Sequence, residues 1–502
     1  MKKTTRNILA TLAVAVVLGG TVTALLLTQP DTEEDSSSVS SSASSDTSIS
    51  LYSYEDSEVE SISVSNANGG YKILARTETT SNSSDTSSGE ETTTTTFYVD
   101  GIEESLQNTS SVSSAASYGT SLSASSEIGA ADEYNLEDYG LAEPIATITT
   151  TLTDGSEVSY SVGNDSPVSG TYILYDDTIY AASVGTYIDK TNLDFVVTTI
   201  LTITPPEDTD DSSSDDSSSD TNEYTQFVFT GSNFPQEVKI VPQSALTSSY
   251  KLVSPYEVSV NSTTMESLTA NIESLTATSV AAVNPTEEQL EEFGLNTPTV
   301  QMKVAVNGNS YTLLSGNLNG SERYVMLKGV DVVYVCSEDS VSSWANATLF
   351  SLRDSFVWLQ DITKVNKVTV KTPDRTENFT LTRTENEESS TEDEVVYDYS
   401  VKGTDGQEIT YSGVFTSYYQ LLIGVELLEE TTETEPTGDL ALSITYEFYD
   451  GGEPRVINYY SIGSRRCLVE VNGQIVGVVS QSSLQDITDN LDAILDNQDI
   501  DE

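Results

Sequence analysis

Hydrophobic and polar positions alternate along the chain in two stretches that share one order. In the first stretch, residues 148–152 and 158–162 alternate on either side of Asp154-Gly155. In the second stretch, residues 300–306 alternate up to Asn307-Gly308. A period of two that is broken by a turn pair containing glycine is typical of a β-hairpin. The pattern therefore predicts the same antiparallel hairpin twice.

A six-residue motif precedes each predicted hairpin. It reads Tyr139-Gly140-Leu141-Ala142-Glu143-Pro144 in the first copy and Phe293-Gly294-Leu295-Asn296-Thr297-Pro298 in the second, and a Gly-Asn pair follows each hairpin. A recurring order of this kind indicates an internal repeat. We expect structural roles for the motif residues, with the glycines ending short helices in the left-handed conformation and the prolines beginning strands. The residues concerned are Gly140, Leu141, Pro144, Gly294, Leu295 and Pro298.

Several helices are predicted from helical periodicity and helix-ending residues, including one that opens at 284–288, one over 418–428 and one over 483–495. The strongest spans 264–277, where apolar residues recur at steps of three and four. A short helix is expected over 132–139, before Gly140. Another is expected over 183–196, closing the first repeat. Because runs of strands and runs of helices are segregated, the predicted class is α+β: tandem repeats of an antiparallel β-meander with flanking helices, preceded by one transmembrane helix.

The composition divides the chain into seven segments. Polar stretches rich in Ser, Asp and Glu separate stretches that can form a core. The predicted segments are a cytoplasmic basic tail at 1–7, a transmembrane anchor at 8–28, a disordered stalk at 29–50, an α+β repeat at 51–205, an acidic linker at 206–223, a second repeat at 224–360, and a degenerate third repeat, without the motif, at 361–502.

The amino-terminal segment predicts a membrane anchor. Lys2, Lys3 and Arg6 precede an uncharged apolar run over 8–27, and about 20 such residues span a bilayer core. Because basic flanks stay in the cytoplasm, the rest of the chain is expected outside the cell. The length of the run favours an uncleaved anchor, and a cleaved signal peptide ending near Val22-Thr23-Ala24 is the alternative.

The charge balance excludes some classes of partner and ligand. With 79 acidic against 21 basic residues, the net charge is −58, which disfavours nucleic acids because their binding needs lysine and arginine. The chain has no histidine, so histidine-dependent catalytic and zinc sites are excluded. The two cysteines are expected to be buried in strands. The acidic tracts lack the spacing of calcium-binding loops and are interpreted as solvated linkers, with a calcium site as the alternative.

The two motifs and their hairpins resemble the domain-of-unknown-function 4340 family. Residues 280–286, which lead into the second motif, also resemble that family. The resemblance covers the first two repeats well and the third weakly. It implies a protein anchored outside a bacterial cell and associated with an ABC transporter permease of the gliding-motility type. The family offers no established catalytic residues to carry over.

Three functions are compatible with the sequence. The first is a non-enzymatic accessory or scaffold component that is associated with an ABC transporter, is anchored once in the bacterial cell membrane and needs no cofactor or metal. The alternative is a cell-surface protein that binds a solute or a glycan, since the chain has 27 tyrosines and aromatic rings stack on sugars. The third is an enzyme that uses paired carboxylates, for which no pair stands out.

Overall fold

Three antiparallel sheets of nine strands follow one another in the part of the chain that the structure describes. The structure is a computed structural model that describes residues 48–81, 91–167, 170–206, 221–244, 248–391 and 395–500. The fold is α+β and mainly β, with antiparallel pairing in every sheet. The coarse prediction from the sequence is therefore confirmed.

The first sheet holds the first motif and hairpin. One helix, α1, joins its opening strands to the later ones and buries Val112, Ala115 and Ala116 against them. The elements are β1 (Ile49–Ser53), β2 (Val59–Asn66), β3 (Tyr71–Ser81), β4 (Glu91–Val99), α1 (Thr109–Thr120), β5 (Ser121–Ala130), β6 (Ala146–Leu152), β7 (Glu157–Asp165), β8 (Thr171–Tyr175) and β9 (Thr178–Ala182).

The second sheet follows a short strand, β10 (Thr199–Thr202). Its long helix, α2, buries the predicted apolar stripe through Met265, Leu268 and Ile272. The elements are β11 (Tyr224–Thr230), β12 (Val238–Pro242), β13 (Tyr250–Ser254), β14 (Val258–Ser259), α2 (Ser262–Glu273), β15 (Ser274–Thr276), β16 (Ser279–Val283), α3 (Glu287–Glu292), β17 (Val300–Val306), β18 (Asn309–Asn319), β19 (Glu322–Leu327), β20 (Val332–Ser337), α4 (Glu338–Ala345) and α5 (Leu349–Leu352).

The third sheet has its own hydrophobic core, which is built on buried tyrosines such as Tyr418, Tyr446 and Tyr459. The elements are β21 (Val365–Lys371), β22 (Thr376–Glu385), β23 (Tyr397–Lys402), β24 (Glu408–Ile409), α6 (Thr416–Ile423), β25 (Leu427–Glu429), β26 (Asp439–Phe448), β27 (Arg455–Ser461), β28 (Arg466–Val471), β29 (Gln474–Ser480), α7 (Gln481–Asp489) and α8 (Leu491–Leu495).

The three sheets share one strand order. The second sheet runs β14-β13-β12-β11-β17-β18-β19-β20-β16, and the third runs β24-β23-β22-β21-β26-β27-β28-β29-β25. The first runs β4-β3-β2-β6-β7-β8-β9-β5-β1, which is the same order without the short fourth strand and with β1 added. In every sheet, the strand that begins the first run of hairpins (β2, β11 or β21) lies beside the first strand of the later meander (β6, β17 or β26), at the centre.

The predicted hairpins are present, each around its predicted turn pair. In the first, β6 pairs with β7 so that Thr150 lies opposite Val158. In the second, β17 and β18 are joined by Asn307 and Gly308, whose φ angles are 50° and 75°. Positive φ at both turn residues matches the right-handed twist of the two strands.

Three local predictions are corrected by the structure. No α-helix forms over 183–196 beyond the 3-10 turn Asn192–Phe195; side-chain amides of Asn66 and Asn68 bind the backbone carbonyls at 188–190 instead. The segment 132–139 forms 3-10 turns, Ala131–Glu133 and Leu136–Tyr139. Helix α2 ends at Glu273 because the next three residues pair with β10.

The predicted tail at 1–7 and anchor at 8–28 lie outside the described residues, as does nearly all of the stalk and of the acidic linker. Strand β1 begins at Ile49, so the predicted stalk boundary at 50 is slightly too late. Within the described ranges, no helix has the length and apolar character needed to cross a membrane.

Candidate functional site

The first motif forms a tight turn directly after a 3-10 helix. Gly140 has a φ of 69°, the left-handed conformation that the sequence predicted. The backbone N–H of Leu141 donates to Leu136 O at 2.9 Å and closes the turn. Ile145, the residue after Pro144, donates to Val162 O at 2.8 Å. The chain therefore enters β6 with its backbone already hydrogen-bonded to the neighbouring strand, β7.

The second motif repeats this geometry. Gly294 has a φ of 72°, and Leu295 donates to Leu290 O at 2.8 Å. Thr299, the residue after Pro298, donates to Ser315 O at 2.9 Å. Leu141 and Leu295 are both buried. The two copies are equivalent in bonding as well as in sequence.

The Gly-Asn pairs that follow the hairpins contact the motifs directly. A Cβ placed on Gly163 would lie 2.2 Å from Tyr139 O, and a Cβ on Gly316 would lie 2.2 Å from Phe293 O. Only glycine allows so close an approach of two backbones. The recurring Gly-Asn pair was therefore the sequence signal for this contact, although sequence reasoning assigned it no role.

Each motif also covers the sheet face opposite the main core. Tyr139 packs edge-to-face on Tyr172 with ring centroids 4.8 Å apart, and Phe293 packs on Tyr324 at 4.5 Å. Around the second motif, Phe293, Leu295, Ala282 and Val333 form a small cluster separate from the main core. Such a satellite cluster under a connecting segment stabilises that segment.

An ion pair fixes the second motif to the closing helix. The buried Arg323 guanidinium bonds both carboxylate oxygens of Glu338, at 2.8 and 3.1 Å, and donates to Gly316 O at 3.0 Å. The hydrogen bond from Arg323 lowers the pKa of the Glu338 carboxyl, although partial burial opposes this. A network that satisfies a buried guanidinium in this way holds its elements in one arrangement.

A cleft opens between the edge of the second sheet and the third sheet. Its volume is about 930 Å³, and its walls include Lys251 and Glu257 on one side and Trp358, Lys364 and Arg455 on the other. Volumes of about 300–1,000 Å³ are typical of sites for small ligands.

Backbone pairing positions the aromatic wall of this cleft. Val357 donates to Val425 O at 2.8 Å, and Leu427 donates to Ser355 O at 2.8 Å. Trp358 follows this paired segment directly. Arg455 opens β27 opposite Tyr446, and its guanidinium carbon lies 3.8 Å from the Trp358 ring centroid. The stacking joins two residues that are far apart in the sequence.

A second, smaller cavity of about 530 Å³ lies beside α2 in the second sheet. Glu273 accepts hydrogen bonds there from Tyr224 Oη at 3.0 Å and from Asn222 Nδ2 at 2.8 Å. Burial, together with the bond to Glu273, raises the pKa of the Tyr224 phenol. The carboxylate already has two donors, so it serves to fasten the segment that enters β11.

A comparison with known protein families identifies the family of the chain. Residues 101–216 and 251–411 match the family described as a domain of unknown function, DUF4340. The chain belongs to the DUF4340 family. These residues make up more than half of the chain and contain both motifs. No curated protein and no solved structure matches the chain.

In this DUF4340 protein both cysteines are buried, unpaired and within strands, as predicted. Burial raises the pKa of the Cys336 thiol to about 12 and also raises that of Cys467, so neither is activated as a nucleophile. Within the described ranges, no group of three or more Cys, Asp and Glu residues is arranged to hold a metal ion.

Proposed function

We propose that this DUF4340 protein is a membrane-anchored extracellular scaffold or accessory component of an ABC transporter in a bacterial cell. The anchor is the apolar run over 8–28, and the transporter association rests on the family resemblance. The observation that carries the scaffold role is a joint that occurs twice between successive sheets. We treat the three sheets as tandem repeats that this joint connects in series.

The first joint connects the first and second sheets. After the first sheet ends, β10 pairs antiparallel with β15, so that Leu201 lies opposite Leu275. Ala277 donates to Thr198 O at 2.8 Å, and Ile203 donates to Glu273 O at 2.9 Å. One continuous hydrophobic cluster contains residues of both sheets.

The second joint uses the corresponding segments. The strand segment after the second sheet pairs with the segment after α6, where Phe356 lies opposite Glu426. Arg353, which is buried, donates to Phe356 O at 2.6 Å and to Tyr256 Oη at 3.0 Å. Backbone pairing supported by a satisfied guanidinium resists rotation of one sheet against the next. A chain of sheets fixed in this way suits a protein that holds partners at set distances.

The experiment is site-specific cross-linking in membranes of the native cell. A photo-reactive residue at exposed Leu318 or Val395 should capture a permease subunit, and protease added to intact cells should remove everything after the anchor. Full-length protein in the cytosol would overturn the proposal. So would membrane-bound protein from which neither position cross-links to a transporter subunit.

A second function, solute binding at the cell surface, is favoured by the cleft between the second and third sheets. An aromatic ring, a stacked cation and a volume of about 930 Å³ form the apolar wall and polar anchor typical of ligand sites. Addition of small solutes should raise the melting temperature through binding to the native state. If neither charged nor neutral solutes of several classes shift it, this second function falls and the scaffold role stands.

A further inference from the structure

We propose that the cleft between the second and third sheets binds a carboxylate-bearing ligand with an apolar body, and that Arg455 holds the carboxylate. This inference rests on the second function, solute binding, and names the class of solute. It is independent of the scaffold role. The candidate ligands are small apolar carboxylic acids, which include the carboxyl-terminal residue of a peptide.

The stacking of Arg455 leaves its hydrogen-bond donors free. The guanidinium lies over the Trp358 ring at 3.8 Å, and its N–H groups lie in its own plane, where a carboxylate can accept two of them. Across the described residues, no hydrogen bond or ion pair engages this guanidinium. Trp358 therefore orients the Arg455 guanidinium and leaves its N–H donors available.

Arg455 has no carboxylate partner, whereas half of the eight arginines that the structure describes have one. Four other arginines each bond a carboxylate directly: Arg76, Arg323, Arg375 and Arg466. The chain contains 79 acidic residues, so carboxylates are abundant, and yet none lies against Arg455. Half-burial lowers the pKa of the guanidinium, partly offset by the charge of Glu257. A carboxylate from outside would recover the solvation that the cation has lost.

The acidic residues of the cleft are already engaged. Glu257 is paired with Lys251 at 2.5 Å. Asp361 accepts from Thr363 N at 2.9 Å, and Asp450 accepts from Gly452 N at 2.9 Å. Lys364 is exposed on the same wall and adds a second positive charge. The cleft lining therefore has three cations against three carboxylates and no net charge, in contrast to the net charge of −58 of the whole chain.

The remaining lining of the cleft determines the body of the ligand. Val258, Leu359, Ile423 and Phe448 contribute apolar surface. Burying apolar area contributes about 25 cal/mol for each Å², so a carboxylic acid with an apolar side chain is favoured over acetate. The volume of about 930 Å³ accommodates one amino-acid residue with neighbouring groups.

The test uses two probes that differ only in charge. N-acetylphenylalanine has a free carboxylate, and N-acetylphenylalaninamide carries the same body with a neutral amide. Binding to the full chain is measured by calorimetry and by tryptophan fluorescence. Trp344 is fully buried, so a change on binding reports Trp358. We expect the carboxylate probe to bind at least about tenfold more tightly than the amide, because charge-assisted bidentate bonds form only with the carboxylate.

Variants test whether Arg455, and not the rest of the cleft lining, binds the carboxylate. Arg455→Gln should lower the affinity for the carboxylate probe about tenfold or more and leave the affinity for the amide unchanged. Arg455→Lys should have an intermediate affinity for the carboxylate, because it keeps the positive charge but not the paired N–H donors of the guanidinium. Arg383→Gln is the matched control, since Arg383 also stacks on aromatic rings, those of Tyr397 and Tyr449, and does not line the cleft. It should bind as the unmodified chain does.

Each remaining outcome overturns the inference. Equal affinities for the two probes would show that the cleft binds solutes without recognising a carboxylate. Solute binding would then stand, and the role of Arg455 would not. Preference for inorganic phosphate over the carboxylate probe would assign a different ligand class. Absence of binding by either probe, or binding that Arg455→Gln leaves intact, would remove Arg455 from the site.

Discussion

The third sheet and the two sheets that carry the motif have the same strand order but differ on one face. In the first two sheets, a left-handed glycine turn approaches a glycine of the neighbouring strand, with 2.2 Å from the position of its missing Cβ to a backbone carbonyl. In the third sheet, the segment between β25 and β26 has no helix. The residue that corresponds to Gly163, Gly463, lies in the turn after β27, where an added Cβ would meet open space.

The third sheet has the same strand order without the motif. The strand order and the covering of the second sheet face therefore have different causes. The order persists without the motif, so the alternating strands and the helix after the opening strands are enough to specify it. The motif adds a local turn and a satellite cluster that cover the second face. Substitutions in the motif should therefore reduce stability without changing the strand order.

The largest effect is expected at Gly316. Gly316→Ala places a Cβ against the Phe293 carbonyl, which must move away, and we expect a loss of about 2–3 kcal/mol in the free energy of unfolding. Gly452→Ala, in an exposed turn of the third sheet, should cost less because its φ is not positive and the nearest atom to an added Cβ is the flexible Asp450 carboxylate at 3.2 Å. Urea denaturation of the two variants measures the difference. Equal losses would show that the close contact has no energetic role.

The next effect concerns the ion pair between Arg323 and Glu338 beside the second motif. Glu338→Gln removes a charged partner of the buried Arg323 and should cost about 1.5–2 kcal/mol at pH 7. Because the folded pKa of Glu338 is lowered, its contribution is present above the unfolded pKa of about 4.3 and is lost as pH falls through the folded pKa. Melting temperatures of both proteins should converge below pH 4. A constant gap down to pH 2 would contradict the assignment.

A smaller loss is expected at the left-handed glycine. Gly294→Val puts a β-branched residue at a φ of 72° and brings its Cβ to 2.4 Å from Asn317 Oδ1. The side chain can move, so backbone strain dominates, at about 1–2 kcal/mol. Thermal unfolding followed by circular dichroism gives the value, with Gly140→Val as the matched variant of the first motif. A neutral Gly294→Val would remove the physical reason for the repeated glycine.

The smallest effect is expected for the asparagine of the Gly-Asn pair. Asn317 Nδ2 donates to Glu292 O at 2.9 Å, at the end of α3. Because this bond is exposed, Asn317→Ala should cost about 0.5–1 kcal/mol. Asn319→Ala, further along β18, serves as the control and should be nearly neutral. If both variants lose the same amount in denaturant titrations, the bond to α3 does not distinguish them.

Sequence predictions were correct where the interactions are local in the sequence and wrong where distant residues take part. The hairpins, the helix stripe on α2 and the left-handed glycines were predicted correctly, since each depends on residues within one or two turns of chain. The helix predicted over 183–196 was wrong, because side chains from the distant Asn66 and Asn68 satisfy that backbone. The end of α2 was placed too late for the same reason, since β10 pairs with the residues that follow it.

The sequence by itself determined the antiparallel α+β architecture, the repeated motif and the family, because alternation, turn residues and a recurring order are local properties of the chain. Only the tertiary structure decided the joints between the sheets and the cleft at the second joint. Trp358 and Arg455 meet because β27 places the arginine and the paired segment after the second sheet places the indole. Neither residue carries a local pattern that marks a binding site, so their stacking depends on contacts that no sequence period records.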